Sequence, residues 1–240
     1  MMTLLEANPI HSLMIVGITG TELVSKLESY GIYRGDFITK EDLAFSRCRT
    51  LKLHLAQGSI VVPGKMSHHI HVATQTDNHE DFHLAELAEG ARAMITMIEK
   101  EDHAIYKFEE LGLKENVEIT LMKKLPHMEY RLLVAKKVRM RITESIAATI
   151  IGKVDGRTRQ FFFAKRNKPF YITEIAQEEA MCNYLKQSGI MPGNEIILET
   201  IEYGEHILID PQEDVVFYAS NGARLSISKE SAASILVQEI

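Results

Sequence analysis

Three segments of the chain repeat one pattern, in which an amphipathic helical stretch runs into a glycine and an aliphatic residue, followed by a turn and an apolar strand. The glycines are Gly31, Gly112 and Gly189, so the pattern recurs after 81 and then 77 residues. This period is too long for a solenoid repeat and suits a small domain. The sequence therefore predicts an array of three units. The repeated segments are LVSKLESYGIYRGDFI (23–38), AIYKFEELGLKENVEI (104–119) and MCNYLKQSGIMPGNEI (181–196).

The glycines and the turns after them have a backbone role in this pattern. A residue that closes a helix in the left-handed conformation is usually glycine, because it has no Cβ to clash. Four residues later come Gly35, Asn116 and Gly193, and asparagine is a non-glycine residue that tolerates a positive φ. Each helix is therefore predicted to end at its glycine and to be followed by a second tight turn. The strands that follow place isoleucine at one shared position, namely Ile38, Ile119 and Ile196.

The end of each unit also repeats. VRMRITESIAATII (138–151) aligns without gaps on ARLSISKESAASIL (223–236), and IVVPGKMSHHIHV (60–72) is a more divergent first copy. Each copy predicts a strand, one helical turn and a short closing strand. A small residue stands at one place in the turn, and this predicts close packing there. These small residues are Ser67, Ala147 and Ala232.

A helix ending in L-x-x-x-G-[IL]-x-x-G, then strands, then [VL]-x-[LI]-x-x-x-x-A-x-x-I, resembles the FeoA domain, the small cytoplasmic component of bacterial ferrous iron uptake. The pattern also resembles the related C-terminal module of DtxR-type metal-dependent repressors. The similarity covers nearly the whole chain, once per unit, and is clearest in the second and third units. The resemblance implies a mainly β fold with short helices, made of three tandem small Src-homology-3-like β-barrels of FeoA type, each with an inserted helix.

The units are predicted to meet at two polar stretches that carry turn-forming residues, QTDNHED (75–81) and GKVDGRTRQ (152–160). No linker rich in proline or serine separates the units, which indicates that they are fixed against one another. The predicted domains are a divergent FeoA-like domain at 1–76, a second at 77–155 and a third at 156–240.

The resemblance implies a non-enzymatic interaction protein of ferrous iron uptake, which docks to the cytoplasmic GTPase domain of a FeoB-type membrane transporter. The sequence offers no nucleophile elbow, phosphate-binding loop or zinc-protease motif, which favours a function without catalysis. The turn after each helix is the predicted partner surface, because such turns are exposed on rigid supports. The partner-binding residues are predicted to be Tyr33, Arg34, Lys114, Met191 and Pro192.

The composition, 45% hydrophobic and 25% charged, is that of an ordinary globular protein. Residues 1–9 lack the basic start and long apolar run of a secretory signal, and no segment approaches the roughly 20 apolar residues that cross a bilayer. We therefore expect a cytoplasmic protein without membrane insertion. Cys48 and Cys182 give no disulfide framework. Homo-oligomer formation stays open.

A histidine-rich segment, from His68 to His83, suggests an alternative function as a transition-metal sensor or storage protein. Imidazole and carboxylate groups suit zinc, iron or nickel. If 70–73 is a strand, His69 and His71 point to one face and are able to share an ion, whereas on a helical turn His68 and His71 would do so instead. No cofactor is expected apart from this metal. The predicted ligands are His69, His71, His79 and His83.

A second alternative, a nucleic-acid-binding regulator, rests on the basic residues of the second unit. Arg139 and Arg141 alternate with apolar residues, so they are predicted to lie on the outer face of a strand, where they could contact phosphates. Against this, the net charge is −6, the isoelectric point is about 5.9 and aromatic residues do not interleave with the basic ones. The sequence therefore favours a solvated outer strand for these basic residues, and an acidic protein partner over nucleic acid if they bind a ligand.

Overall fold

A computed structural model describes residues 1–8, 12–40, 49–74, 81–99, 103–154, 156–177, 179–203, 206–208, 214–219 and 223–239. The strands are β1 Met2–Thr3, β2 Ser12–Ile18, β3 Phe37–Lys40, β4 Leu51–Leu55, β5 Gly58–Val62, β6 Ile70–Ala73, β7 Phe82–His83, β8 Arg92–Ile98, β9 Glu118–Lys124, β10 Met128–Val134, β11 Val138–Thr143, β12 Ile150–Val154, β13 Arg157–Gln160, β14 Pro169–Ile175, β15 Glu195–Tyr203, β16 His206–Leu208, β17 Val215–Ala219, β18 Arg224–Ile227 and β19 Ile235–Glu239. The α-helices are α1 Thr21–Ser29, α2 Gly64–Ser67, α3 His103–Tyr106, α4 Glu144–Thr149, α5 Glu179–Gln187 and α6 Lys229–Ala233. Single 3-10 turns lie at Leu84–Glu86, Glu109–Leu111 and Phe161–Phe163.

The strands form three sheets, which we name A, B and C. Sheet A has the order β1-β19-β2-β3-β17-β18-β16, sheet B the order β5-β4-β9-β8-β6-β7, and sheet C the order β11-β10-β15-β14-β12-β13. One helix is inserted between the two central strands of each sheet, and a second short helix precedes each closing strand. The predicted fold class, mainly β with short helices, is confirmed, and the strands form three separate sheets.

One strand order is common to the three sheets. It runs from the closing strand through the two strands that flank the inserted helix to a hairpin, as β19-β2-β3-β17-β18, β6-β8-β9-β4-β5 and β12-β14-β15-β10-β11. A bulge also recurs at one position, where the closing strand pairs with the strand before the inserted helix. The bulge lies between Leu236 and Val237 in sheet A, His71 and Val72 in sheet B, and Ile151 and Gly152 in sheet C.

The sheets do not follow the predicted segments 1–76, 77–155 and 156–240. The boundary at 76 falls between β6 and β7, which pair in sheet B, and the boundary at 155 falls between β12 and β13, which pair in sheet C. Each sheet joins the end of one sequence repeat to the start of the next, and sheet A joins the two ends of the chain. The reason is that a repeat alignment fixes the period but not the point at which the folded unit begins.

The chain divides into two compact units. The split unit contains residues 1–47 and 203–240 and is built around sheet A, so its strands come from both ends of the chain. The continuous unit spans residues 48–202 and contains sheets B and C.

The predicted turn chemistry is confirmed. Gly31, Gly112 and Gly189 have φ values of 73°, 94° and 83°, and each stands just past a helical turn. The second turns also have positive φ, at Gly35 (96°), Asn116 (60°) and Gly193 (91°). The isoleucines of the following strands, Ile38, Ile119 and Ile196, are at most 2% exposed, and the small residues Ser67, Ala147 and Ala232 are fully buried.

Each sheet has its own apolar core. The core of sheet A contains residues from both ends of the chain, such as Leu13, Leu27 and Phe217. Phe108 lies in the core of sheet B and Phe170 in that of sheet C. Three modest cores thus replace one large one, as expected for small domains.

Within the continuous unit, sheets B and C are joined by a buried contact. Val61, Leu125 and Ala148 form a small apolar cluster between the sheets. Beside it, the Gln160 side chain accepts a hydrogen bond from Val61 N (2.8 Å) and donates to Val61 O (2.6 Å) and Ala148 O (2.7 Å). Glu144 adds a second link, because Thr50 Oγ1 donates to it at 3.1 Å.

The division into units predicts the behaviour of fragments. Residues 48–202 contain the paired strands of sheets B and C and their cores, so this fragment is expected to fold alone and to melt in one cooperative transition. Fragment 48–155 is the matched control, since it lacks β14 and β15 and leaves β12 without its central partner. Calorimetry and amide exchange measure both. A broad, non-cooperative melt of 48–202 would contradict the division.

Candidate functional site

Two histidines and a glutamate converge at one side of sheet B. His71 in β6 and His83 in β7 are directly opposite each other in the strand pair, and their ring centroids are 4.7 Å apart. Glu99 directly follows β8, and its Oε1 is hydrogen-bonded to His71 Nε2 at 2.8 Å. One ligand atom from each of the three side chains lies within 4.8 Å of the others, and all three side chains are half-buried.

Two further histidines surround this group, which we name the His71 cluster (His71, His83 and Glu99). His69 Nδ1 is hydrogen-bonded to the second carboxylate oxygen of Glu99 at 2.9 Å. The His68 ring centroid is 6.0 Å from that of His83. His69 therefore orients the carboxylate from the side opposite His71.

Backbone contacts fix the position of each member. Glu99 N donates a hydrogen bond to His69 O at 2.9 Å, which holds the end of β8 against the start of β6. His83 N donates to Glu86 Oε2 at 3.3 Å, so the following 3-10 turn holds the short strand β7 in place. The cluster is thus supported by sheet pairing rather than by a free loop.

Hydrogen bonding within the cluster favours the charged form of the Glu99 carboxylate. Hydrogen bonds from His69 and His71 hold the pKa of Glu99 below its usual value. Burial, together with the nearby His83 and His69, lowers the pKa of His68, and Glu86 partly opposes this effect. His83 Nδ1 is buried, and the His83 side chain forms a capping box with Glu86 in the following 3-10 turn.

The structure brings together part of the predicted ligand set. His71 and His83 lie side by side, whereas His69 binds Glu99 in a supporting position, and His79 lies outside the described residues. His69 and His71 do lie on one face, as predicted for a strand at 70–73. Both rings are hydrogen-bonded to the carboxylate of Glu99, one to each oxygen. Glu99 was missed, because only the pairing of β6 with β8 brings it to His71.

The five predicted partner-binding residues lie in equivalent turns, each between an inserted helix and the next central strand. Tyr33 is 52% exposed. Arg34, Lys114 and Pro192 are exposed as well, and Met191 is half-buried. Each turn belongs to a different sheet, so the five residues are divided among three equivalent turns.

Three arginines of β10 and β11 have acidic partners within sheet C. Arg131 lies 2.9 Å from Glu202, and Arg139 lies 3.1 Å from Glu199. Arg141 also approaches the buried Glu129 at 3.5 Å. These pairs reduce the positive potential that a phosphate-binding stripe requires.

Two further sequence expectations concern the membrane and the cysteines. The described part of the chain has no helix of the length and hydrophobicity that crossing a bilayer requires. Cys182 is half-buried with a thiol pKa raised by burial, which disfavours the reactive thiolate. Cys48 lies outside the described residues.

Comparison with known proteins gives one family match. Residues 82–154 match the FeoA domain, a small non-catalytic domain with a Src-homology-3-like fold that is associated with ferrous iron transport. The chain has no significant match among curated proteins or solved structures. The matched segment supplies β7, β8 and β9 to sheet B and β10, β11 and β12 to sheet C, so a FeoA sequence is shared between two sheets. The match covers the middle third of the chain and associates it with ferrous iron transport.

Proposed function

We propose that this protein is a cytoplasmic, non-enzymatic interaction protein of ferrous iron uptake, and that it docks to the GTPase domain of a FeoB-type membrane transporter. The match of residues 82–154 to the FeoA domain carries the proposal. Docking would alter nucleotide turnover or the state of the transporter, without any chemical step in this protein.

Sheet geometry supports the extension of this proposal to all three repeats. The three sheets share one strand order, one inserted helix and one bulge position. The left-handed glycine after the helix recurs in each. We infer three tandem FeoA-like repeats on this basis, and the relation to the DtxR-type module stays a prediction.

The turn at 113–117 is the favoured docking surface, because it lies within the matched segment. Leu113 is 1% exposed and anchors the turn in the core, and Asn116 N donates a hydrogen bond to Ile95 O at 2.8 Å. Lys114 projects from this rigid support and is exposed. A cation on a fixed turn suits recognition of an acidic surface on a partner.

Charge reversal at this turn provides the test. Untagged transporter is recovered from membranes of the source organism with the immobilised chain, and the variant Lys114→Glu is compared with Lys153→Glu. Lys153 is a matched control, because it is also an exposed lysine in the matched segment but lies on β12. We expect Lys114→Glu to lower the affinity about tenfold, the effect of roughly 1.4 kcal/mol at one contact, and Lys153→Glu to have little effect.

Two readouts separate docking from surface charge in general. The amount of transporter recovered measures binding, and the GTP hydrolysis rate of its isolated GTPase domain measures the functional consequence. Recovery of other proteins with no transporter GTPase among them would refute the proposal. Equal losses for both lysine variants would place the docking surface elsewhere and refute the assignment of the turn.

A further inference from the structure

We propose that the His71 cluster is a binding site for one divalent first-row transition-metal ion, with His71, His83 and Glu99 as ligands and His69 as the residue that orients the carboxylate. This goes beyond the docking function and does not depend on it. Two imidazoles and one carboxylate form a donor set that zinc and ferrous iron both accept.

The distances fit an ion after small side-chain movements. An ion about 2.1 Å from each donor in a tetrahedral site holds its donors roughly 3.4 Å apart. His71 Nε2 and Glu99 Oε1 are already 2.8 Å apart, and the whole set of ligand atoms lies within 4.8 Å. Rotation of the His83 ring toward the carboxylate is therefore the main adjustment that binding requires.

A hydrogen bond from a neighbouring residue holds the proposed carboxylate ligand in place. Metal-binding groups are commonly held by outer hydrogen bonds, and the loss of such a bond weakens binding. Here His69 Nδ1 holds the Glu99 oxygen that His71 does not use, at 2.9 Å. The carboxylate is thus oriented with one oxygen toward His71 and His83.

The composition of the ligand set also suits a cation. One carboxylate and two imidazole rings, all half-buried, converge on one point, and the carboxylate is the acidic member of the set.

Binding would connect three strands at one side of sheet B. His71 lies in β6, His83 in the two-residue strand β7, and Glu99 at the end of β8. Because β7 is short and lies at the sheet edge, it contributes few hydrogen bonds of its own. An ion shared by the three strands would stabilise this edge in proportion to its concentration over its dissociation constant.

Cobalt(II) titration of the full-length, tag-free, chelator-treated chain tests the proposal. The visible d–d band of cobalt reports coordination by protein ligands, and displacement by zinc(II) reports a shared site. We expect one equivalent of cobalt to produce a saturable band. His71→Ala and His83→Ala should abolish it, and His69→Ala should weaken binding about tenfold to hundredfold.

His54→Ala is the matched control, because His54 is an exposed histidine in β4 of the same sheet and lies outside the cluster. Glu99→Gln is a second ligand variant that keeps the shape of the side chain, and thermal unfolding without metal verifies that each variant is folded. Failure of the unaltered chain to give a saturable band overturns the proposal. So does a band that persists in His71→Ala and His83→Ala, or an equal loss in His54→Ala.

Discussion

The substitution Gly152→Ala is expected to lower the free energy of unfolding of the continuous unit by about 3 kcal/mol, at the upper end of the usual cost of overpacking a core. Gly152 lies in β12 at the bulge opposite β14. A Cβ there would overlap the Tyr171 carbonyl oxygen and would lie 2.8 Å from Cζ of Phe170. Because the oxygen belongs to the backbone of a paired strand, it cannot move without breaking the sheet register.

The other two sheets show why this position is glycine only in sheet C. The residues equivalent to Gly152 at the bulge are Val72 in sheet B and Val237 in sheet A, and both are fully buried. The neighbouring position that holds Phe170 in sheet C holds a smaller residue in each of the other sheets. These smaller residues are Ala93 in sheet B and Leu13 in sheet A. The Phe170 ring therefore occupies the space that a valine fills in sheets A and B.

Gly17→Ala is the matched control for this prediction. Gly17 also lies in a strand, β2, and a Cβ there would be 3.5 Å from Cδ1 of Leu236, an ordinary contact. We expect a change of less than about 1 kcal/mol, with a small gain from reduced freedom of the unfolded chain. Chemical denaturation of the three proteins measures the difference. Equal effects of the two substitutions would show that the Gly152 contacts do not determine stability.

The double variant Gly152→Ala with Phe170→Ala separates the two clashes. Removal of the ring should recover the part of the loss that comes from Phe170 and leave the part that comes from the backbone oxygen. Phe170→Ala alone creates a cavity and costs about 3–5 kcal/mol. A double-mutant cycle then gives the coupling between the two positions.

Local structure could be predicted from the sequence because the same pattern occurs three times, once in each repeat. The glycine after each helix, the second turn and the buried isoleucine of the next strand all follow from steric rules that act within a few residues. The small residues Ala147 and Ala232 were predicted to pack closely for the same reason, and both are fully buried.

The assignment of strands to sheets could not be predicted in this way. Strands β9 and β10 are separated by only three residues, 125–127, yet they belong to different sheets. Leu125 fills the apolar contact between those sheets, and Pro126 favours an extended chain at the crossing. Both residues are compatible with a tight hairpin as well, so the repeat pattern alone does not decide between the two arrangements.

The candidate site was predicted only where its residues are close in sequence. The histidine-rich segment indicated His71 and His83, which pair across β6 and β7. Glu99 comes 28 residues after His71 and reaches it only through the pairing of β6 with β8. A search for motifs among residues that are close in sequence cannot find a ligand that only strand pairing brings to the site.

The substitution Gln160→Glu is expected to lower the free energy of unfolding of the continuous unit by about 3 kcal/mol at neutral pH. Gln160 is 1% exposed and makes three hydrogen bonds, of which two connect it to Val61 in sheet B and the third reaches Ala148 O in α4. The introduced carboxyl keeps the bond from Val61 N, but it has no NH₂ group to donate to Val61 O and Ala148 O. An ionised oxygen would instead face two carbonyl oxygens in a buried site.

The effect of Gln160→Glu should depend on pH, and the sign follows from linkage. Burial beside two acceptors raises the pKa of the introduced carboxyl in the folded state above its unfolded value of about 4.3. The folded state then binds its proton more tightly, so the variant is least destabilised below about pH 4 and loses stability as the pH rises toward its folded pKa.

Gln160→Leu, which removes the polar atoms without adding a charge, should show a loss that does not change with pH relative to the unaltered chain. Urea denaturation from pH 4 to pH 8 measures both. Parallel pH profiles for the two variants would show that Gln160 does not donate to the two carbonyl groups, and the buried polar contact would then not be what joins sheets B and C.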